Sequence, residues 1–272
     1  MRVDILTLFP EMFPPVLDHS IVGRARKKGL LQVCCHQLRQ FSPDPRGRVD
    51  DTVFGGGQGM LLAAEPFARG IDEICAHLGW KPHILYMSPR GKVLDQEIAR
   101  RLARQPGLLL LCGHYEGVDQ RLLEEYQAEE ISVGDFVLTG GELPAMIVTD
   151  AVSRMLPGVL SEEACFTEES HYSGLLEYPQ YTRPEVWRGR PVPPVLLSGH
   201  HENIRRWRRA QALAVTRKNR PDLWERFNAT KRTGSFWKTG GFHLISSKVH
   251  IPWKRVPCCL CGGFGTACGR EN

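Results

Sequence analysis

No apolar run in this 272-residue chain approaches the length of a membrane span, which excludes a helical transmembrane protein. Arg2 and Asp4 interrupt an N-terminus that reads as a strand, so no secretory signal pattern is legible. The expectation is a cytosolic protein without membrane contact. Phosphate-cradling motifs are missing as well. There is no GxxxxGK[ST] pattern, and no GxGxxG opens a helix with an acid at the right distance, so the glycines do not read as phosphate loops. Paired CxxC motifs are also lacking. Of nine cysteines, Cys34, Cys35, Cys75, Cys112 and Cys165 are scattered in apolar context and read as reduced packing residues. Cys258, Cys259, Cys261 and Cys268 crowd the C-terminus without the spacing of a zinc site.

What is present is an ordinary soluble composition, 42% hydrophobic and 24% charged, with enough length for one large or two modest domains. The net charge of +5 is mild but unevenly placed. Between Arg183 and Arg232 stand 13 Lys/Arg against 4 acids, Glu185, Glu202, Asp222 and Glu225. That segment is a candidate polyanion surface, the alternative being a solvated helix face.

Strand and helix patterns alternate from the N-terminus. MRVDILTLFPEMF gives a strand and a turn at Pro10; Ser20 to Gly29 has the spacing of an amphipathic helix closed by glycine; Leu30 to Leu38 reads as a strand. Ile84 to Met87 and Leu108 to Cys112 are buried strands by composition, with a helical stretch at Leu94 to Leu102 between them. The alternation predicts an α/β domain with a mainly parallel sheet, ending near residue 160. A proline-rich stretch with Pro179, Pro184, Pro191, Pro193 and Pro194 follows and reads as a long functional linker. The spacing in HENIRRWRRAQALAVTRK predicts a helix with Ile204, Trp207, Ala210 and Leu213 inward and Arg205, Arg206, Arg208 and Arg209 mostly outward.

Three glycine-bearing turns follow three strands: SPRGK from Ser88, GHYEGVD from Gly113, and VGDFVLTGGELP from Val133. The last continues an apolar strand pattern, with Ile131 and Val133, then Phe136 and Leu138. Gly134, Gly140 and Gly141 remove side chains where a backbone turns sharply or something flat comes close. Alone this is an ordinary bend. Together, three neighbouring loops can clasp a flat heterocycle by main-chain hydrogen bonds and apolar contact.

LTLFPEMF, DDTVFGGGQGM, MSPRGK, LLLCGHYEGVDQR, ISVGDFVLTGGELPAM, SRMLPGVL, GLLEYPQYTRPEVWRG, VPPVLLSGHH and IRRWRR occur in that order. Together they resemble the bacterial tRNA (guanine-N1)-methyltransferases of the TrmD family, within the SPOUT superfamily, from about Met1 to about Phe227. The resemblance implies a SPOUT-type α/β fold with a deep trefoil knot in the C-terminal half of the sheet domain, plus a small helical C-terminal domain. The implied organisation is a knotted catalytic domain over residues 1–160, a linker over 161–198 and a helical tRNA-binding domain over 199–230. The resemblance stops after Phe227, where the family continues with further helix, and residues 231–272, with little helical period, read as an atypical tail without fixed structure.

The resemblance further implies that S-adenosylmethionine is held by Tyr86, Pro89, Gly113, Tyr115, Glu116, Val133, Gly134, Asp135, Phe136, Val137, Leu138, Gly140, Gly141 and Pro144. It implies methyl transfer to N1 of the tRNA guanosine immediately 3′ of the anticodon, where the preceding base is also guanosine. N1 carries a proton at neutral pH, so the reaction needs a base near N1 and a positive group near O6. Family residues in those roles map to Glu169 and Arg154. The usual residue at 169 is aspartate, and glutamate keeps the carboxylate on a chain one methylene longer. RNA contacts map to Asp50, Gly55, Gly56, Gly57, Arg183, Arg205, Arg208 and Arg209, with Tyr181, Thr182 and Arg183 ordering on tRNA. Gln58 departs from the proline frequent in the glycine-rich loop. The family also implies a homodimer with sites built from both subunits, and magnesium dependence at an unassigned site. The rival readings are another SPOUT RNA methyltransferase and a non-catalytic RNA-binding relative.

Overall fold

The structure, a computed structural model, describes residues 1–56, 59–160 and 169–233, with side chains through residue 228. Met1–Asn228 forms one compact unit; the second, Ala229–Asn272, enters the described residues only as the end of a helix. The tail cysteines and most of the expected tail lie outside the described residues.

Five strands form the central sheet: β1 (Arg2–Thr7), β2 (Gln32–Gln37), β5 (His83–Val93), β6 (Gly107–Cys112) and β7 (Glu129–Ser132). Their order is β2-β1-β6-β5-β7, and all pairings are parallel. A short hairpin, β3 (Asp50–Thr52) and β4 (Met60–Leu62), stands beside it. The expected alternation holds: α1 (Ser20–Lys27), α2 (Ala64–Leu78), α3 (Gln96–Leu102), α4 (Gln120–Tyr126) and α5 (Glu142–Ser153) connect or follow the strands. Asp95 and Asp119 cap α3 and α4, their carboxylates accepting from the Ile98 and Arg121 backbone amides.

A sheet covered on both faces needs apolar side chains on both, and β6 reads GLLLLC with every residue buried. Leu108, Leu110 and Cys112 pack into one core layer with Val3, Ile5, Phe13, Leu85, Val148 and Val152. Leu109 and Leu111 face the other, with Leu6, Phe67, Ile71, Ile84, Tyr86 and Leu122. The period-two alternation of a strand thus feeds two cores from one run. A charged residue also sits in β1: the Asp4 carboxylate is buried and bonds Arg2 Nε at 2.7 Å and His36 Nε2 at 2.8 Å. Burial opposes its charge, but the hydrogen bonds from His36 and Arg2 outweigh it and hold the carboxyl below the usual value.

Two expectations are corrected. The apolar pattern from Ile131 to Leu138 is not one strand: β7 ends at Ser132, and Phe136, Val137 and Leu138 are exposed. The Ser132 hydroxyl accepts from the Gly134 amide at 3.2 Å and donates to the Gly134 carbonyl at 2.9 Å, closing a turn at Gly134, φ +152°. In α6 (His201–Asn219), Ile204, Trp207 and Leu213 are half-buried on the inner face as expected, but Ala210 is not part of that face. Ala210 is exposed, whereas Ala212 and Thr216 are buried. The Thr216 hydroxyl accepts from the Leu176 amide at 2.8 Å and donates to the Ala212 carbonyl at 2.7 Å, so a polar residue with local partners takes a core position.

The described part of the proline-rich stretch carries a small hairpin, β8 (Val186–Trp187) and β9 (Arg190–Pro191), and a helical turn at Pro194–Leu197. It is anchored by buried Leu175 and by the Arg100 guanidinium 5.1 Å from the Tyr172 ring. A final helix, α7 (Pro221–Thr233), follows α6.

Candidate active site

The 113–118 loop follows β6 and the 133–141 loop follows β7. SPRGK, expected as a turn after a strand, is instead a bulge inside β5, where its pairing with β7 shifts register between Met87 and Lys92. The three meet on one side of the sheet, toward the carboxyl ends where parallel α/β sheets usually bind ligands. The 113–118 loop is the central one. On one side it is stitched to the β3–β4 hairpin: the Glu116 amide donates to the Met60 carbonyl at 3.1 Å and the Leu62 amide to the Gly117 carbonyl at 3.0 Å. On the other, the Gly141 amide donates to the Gly113 carbonyl at 2.8 Å, and His114 bridges Gly140 in antiparallel fashion. Gly141 passes backbone against backbone. A Cβ there would stand 2.7 Å from Cys112 Cα and 2.9 Å from the Gly113 nitrogen, so no side chain fits.

These loops enclose a cavity of about 490 Å³. Its walls include Tyr86, Pro89, Gly113, Tyr115, Glu116, Val133, Phe136, Val137, Leu138, Gly140, Gly141 and Pro144. Of the cofactor residues expected from sequence, Gly134 and Asp135 are outside that wall, Gly134 shaping the turn that carries its neighbours. The wall also contains residues that sequence reasoning missed, notably Ser88, Arg90, His114, Gln120 and Thr139. All five lie inside the motifs MSPRGK, LLLCGHYEGVDQR and ISVGDFVLTGGELPAM, and their position there was the one available signal.

Apolar side chains at the mouth are exposed, Val137 by 82%, beside Tyr115, Phe136 and Leu138. An exposed apolar group beside a concave polar wall marks a binding surface. Tyr115 holds φ +56°, uncommon for an aromatic residue and characteristic of chains over-determined at a site. Burial pushes the Tyr86 phenol pKa up, so at neutral pH it remains a hydroxyl donor.

The predicted catalytic pair is in direct contact. Arg154 follows α5, and its Nη2 lies 2.7 Å from both carboxylate oxygens of Glu169. Neither lines the cavity. Glu169 instead lines a second hollow of about 580 Å³ with Leu175, Tyr178, His201, Arg205, Arg208 and Arg209. Arg208 lies 5.0 Å over the Tyr178 ring and Arg209 5.4 Å over the Phe227 ring, whereas Arg205 bonds Glu202. Arg183 is exposed, and Tyr181 packs 6.2 Å from the Trp207 ring. Asp50 opens the hairpin; Gly55 and Gly56 are exposed with φ +87° and +81°, and Gly57 and Gln58 lie outside the described residues.

A family profile described as tRNA (Guanine-1)-methyltransferase TrmD matches residues 1–226. The chain belongs to that family. It is 54% identical to a tRNA (guanine-N(1)-)-methyltransferase of Ruminiclostridium cellulolyticum over 226 residues, 83% of this chain and 97% of that relative. It is 50% identical to one from Alkaliphilus oremlandii over 241 residues, 87% of this chain and 97% of the relative. A tRNA (guanine-N(1)-)-methyltransferase of Ruegeria pomeroyi is 50% identical over 227 residues, 84% and 93% of the two chains. The family match ends beside Phe227, where the motif resemblance also ends. Among the described residues no helix is long and apolar enough to cross a membrane, and no group of three or more His, Cys, Asp or Glu is placed to hold a metal ion.

Proposed function

We propose that this protein transfers a methyl group from S-adenosylmethionine to N1 of guanosine in tRNA, at the guanosine immediately 3′ of the anticodon when guanosine precedes it. The observation that carries the reading is the convergence of three separate glycine-bearing loops on one cavity, in a chain of this family. The cofactor suits that wall: glycine backbone allows close approach, main-chain groups suit a heterocycle edge, and Tyr115, Phe136 and Leu138 offer apolar surface. When bound, S-adenosylmethionine supplies an electrophilic methyl carbon on a sulfonium centre. Tyr86, Pro89, Gly113, Glu116, Val133, Val137, Gly140, Gly141 and Pro144 complete the holding set, with Gly134 and Asp135 forming the turn.

Glu169 is the base that takes the proton from N1, and Arg154 stabilises the negative charge that then develops at O6. Arg suits that role because it stays charged and presents several donors. In the free protein the two groups hold each other, so each exchanges its partner for guanine when tRNA docks. Neither reaches the cavity of its own chain, which favours a homodimer in which they serve the partner's cofactor. The exposed apolar side chains Phe9, Met12, Val16, Leu143 and Ile147 support that assembly, the last two lying one helical turn apart on α5.

The knot belongs to the same reading. Its support is the contact of Gly141 with the Cys112–Gly113 backbone, as expected where one segment threads past another. We assign the catalytic domain to residues 1–160, the linker to 161–198 and tRNA binding to the helices of 199–230. Arg183, Arg205, Arg208 and Arg209 contact phosphates, and the 50–57 loop shapes the target-guanosine pocket. The protein works in the cytoplasm, where tRNA is processed. The described residues offer no group of three or more His, Cys, Asp or Glu for the magnesium ion implied by the resemblance.

Incubation with methyl-labelled cofactor and a tRNA transcript, with and without the target guanosine, tests the reading. Label in the first transcript alone supports it. Label in both points to another RNA methyltransferase, and label in neither to a non-catalytic binder.

A further inference from the structure

A polar trio that the proposed chemistry does not use runs from the cavity wall into the core, Thr7 and Glu142 buried and His114 half-buried. Glu142, the first residue of α5, is 2% exposed, and both its carboxylate oxygens are occupied. Oε1 accepts from the Thr7 hydroxyl at 2.7 Å; Oε2 lies 2.8 Å from His114 Nε2. Thr7 ends β1 and is itself buried, its oxygen also accepting from the Phe9 amide at 3.0 Å. His114 lines the cavity and packs edge-on against Phe9, ring centroids 5.0 Å apart.

A carboxylate so far from water is costly unless each oxygen is hydrogen-bonded, and a fully satisfied buried network fixes the geometry of what it joins. Here it joins three chain segments far apart in sequence: the end of β1, the 113–118 loop, and the start of α5 just after Gly140 and Gly141. The last two are walls of the cavity. Gly140 leaves room for the contact, because a Cβ there would stand 2.4 Å from His114 Nε2 and 2.6 Å from Glu142 Oε2. Main-chain bonds, His114 to Gly140 and Gly141 to Gly113, also join these two loops, and the side-chain trio adds a tie from them to the end of β1.

We propose that Thr7, Glu142 and His114 form a positioning clamp that fixes the spacing of two cavity walls and thereby sets cofactor affinity. This rests on the cavity being the S-adenosylmethionine site. None of the three is a catalytic residue; each acts through the loops it holds.

The test uses the full-length protein and S-adenosylhomocysteine as the probe, titrated by calorimetry, with the unfolding temperature measured without ligand and cofactor kinetics alongside. His114→Phe keeps a ring against Phe9 but loses the bond to Glu142; His114→Gln keeps an amide donor near the place of Nε2. Thr7→Val removes the other bond at constant shape. The clamp predicts about tenfold or greater loss of affinity in His114→Phe, with KM for the cofactor rising more than kcat falls. It predicts substantial recovery in His114→Gln and a smaller loss in Thr7→Val. Wild-type affinity in both His114→Phe and Thr7→Val overturns the clamp. So does equal loss in the Phe and Gln variants, or a loss confined to variants already unfolded at the assay temperature. A wild-type protein that fails to bind the probe overturns instead the reading of the cavity on which the clamp rests.

Discussion

Arg154 Nη2 stands 2.7 Å from each carboxylate oxygen of Glu169, so the proposed base and cation of the reaction neutralise each other in the free protein. Both side chains are about one-third exposed, 33% and 38%, which makes the contact exchangeable rather than locked. In Glu169→Gln the proton acceptor is lost while size is kept. The single-turnover methylation rate is expected to fall by ~10²–10⁴-fold with cofactor affinity unchanged, and Glu169→Asp to retain most activity. Rapid-quench assay of labelled tRNA checks this, and a wild-type rate for the glutamine variant would sink the assignment.

Gly141→Ala places a methyl 2.7 Å from Cys112 Cα, against backbone that has no rotamer by which to yield. The expected cost is ~1–3 kcal/mol in stability, together with weaker cofactor binding. Denaturant unfolding and calorimetry measure the two, and an unperturbed variant would mean that the two segments are not in close apposition.

The arginines of α6 differ in their partners. Arg205 is bonded to Glu202, whereas Arg208 and Arg209 lie over aromatic rings beside the hollow that holds Glu169. Removing Arg208 and Arg209 together should weaken tRNA binding and lower the slope of log affinity against log salt by roughly one per arginine. Arg205→Ala should do less. Filter binding over a salt series distinguishes them; an unchanged slope in the double variant would count against phosphate contacts there.

Asp4 links acid stability to the sheet. Its folded pKa is lowered from an ordinary 3.8, so its contribution is present above that value and lost as the pH falls through the lower folded one. Asp4→Asn should be less stable than wild type near neutrality, and the difference should shrink as the medium is taken down toward about pH 3. Thermal unfolding across that range gives the answer. A constant difference would show that the charge on Asp4 is not what matters.

Strand and helix alternation was readable because a parallel sheet needs apolar runs such as Leu108 to Cys112 on its central strands. Positions that serve a ligand rather than the core were harder. Val133, Phe136 and Leu138 carry the spacing of a buried strand, yet all three line the cavity, Phe136 and Leu138 exposed beyond the turn at Gly134, since apolar residues are needed at a binding surface as well as in a core. Ala212 and Thr216 were hidden for the opposite reason: a threonine and an alanine carry little apolar signal, and the Leu176 amide that accounts for Thr216 is 40 residues away. The cavity wall was largely legible through family motifs. The Thr7–Glu142–His114 trio was not, because its members are separated by 135 and 28 positions and no local pattern marks them.

The most direct test of the account is methyl transfer itself. Purified protein, methyl-labelled S-adenosylmethionine and two tRNA transcripts differing only at the guanosine 3′ of the anticodon are sufficient, with nuclease digestion to identify the product. Label is expected as N1-methylguanosine from the first transcript and none from the second. Label in both transcripts, label at a ribose hydroxyl, or no transfer by protein that binds both cofactor and tRNA would contradict it.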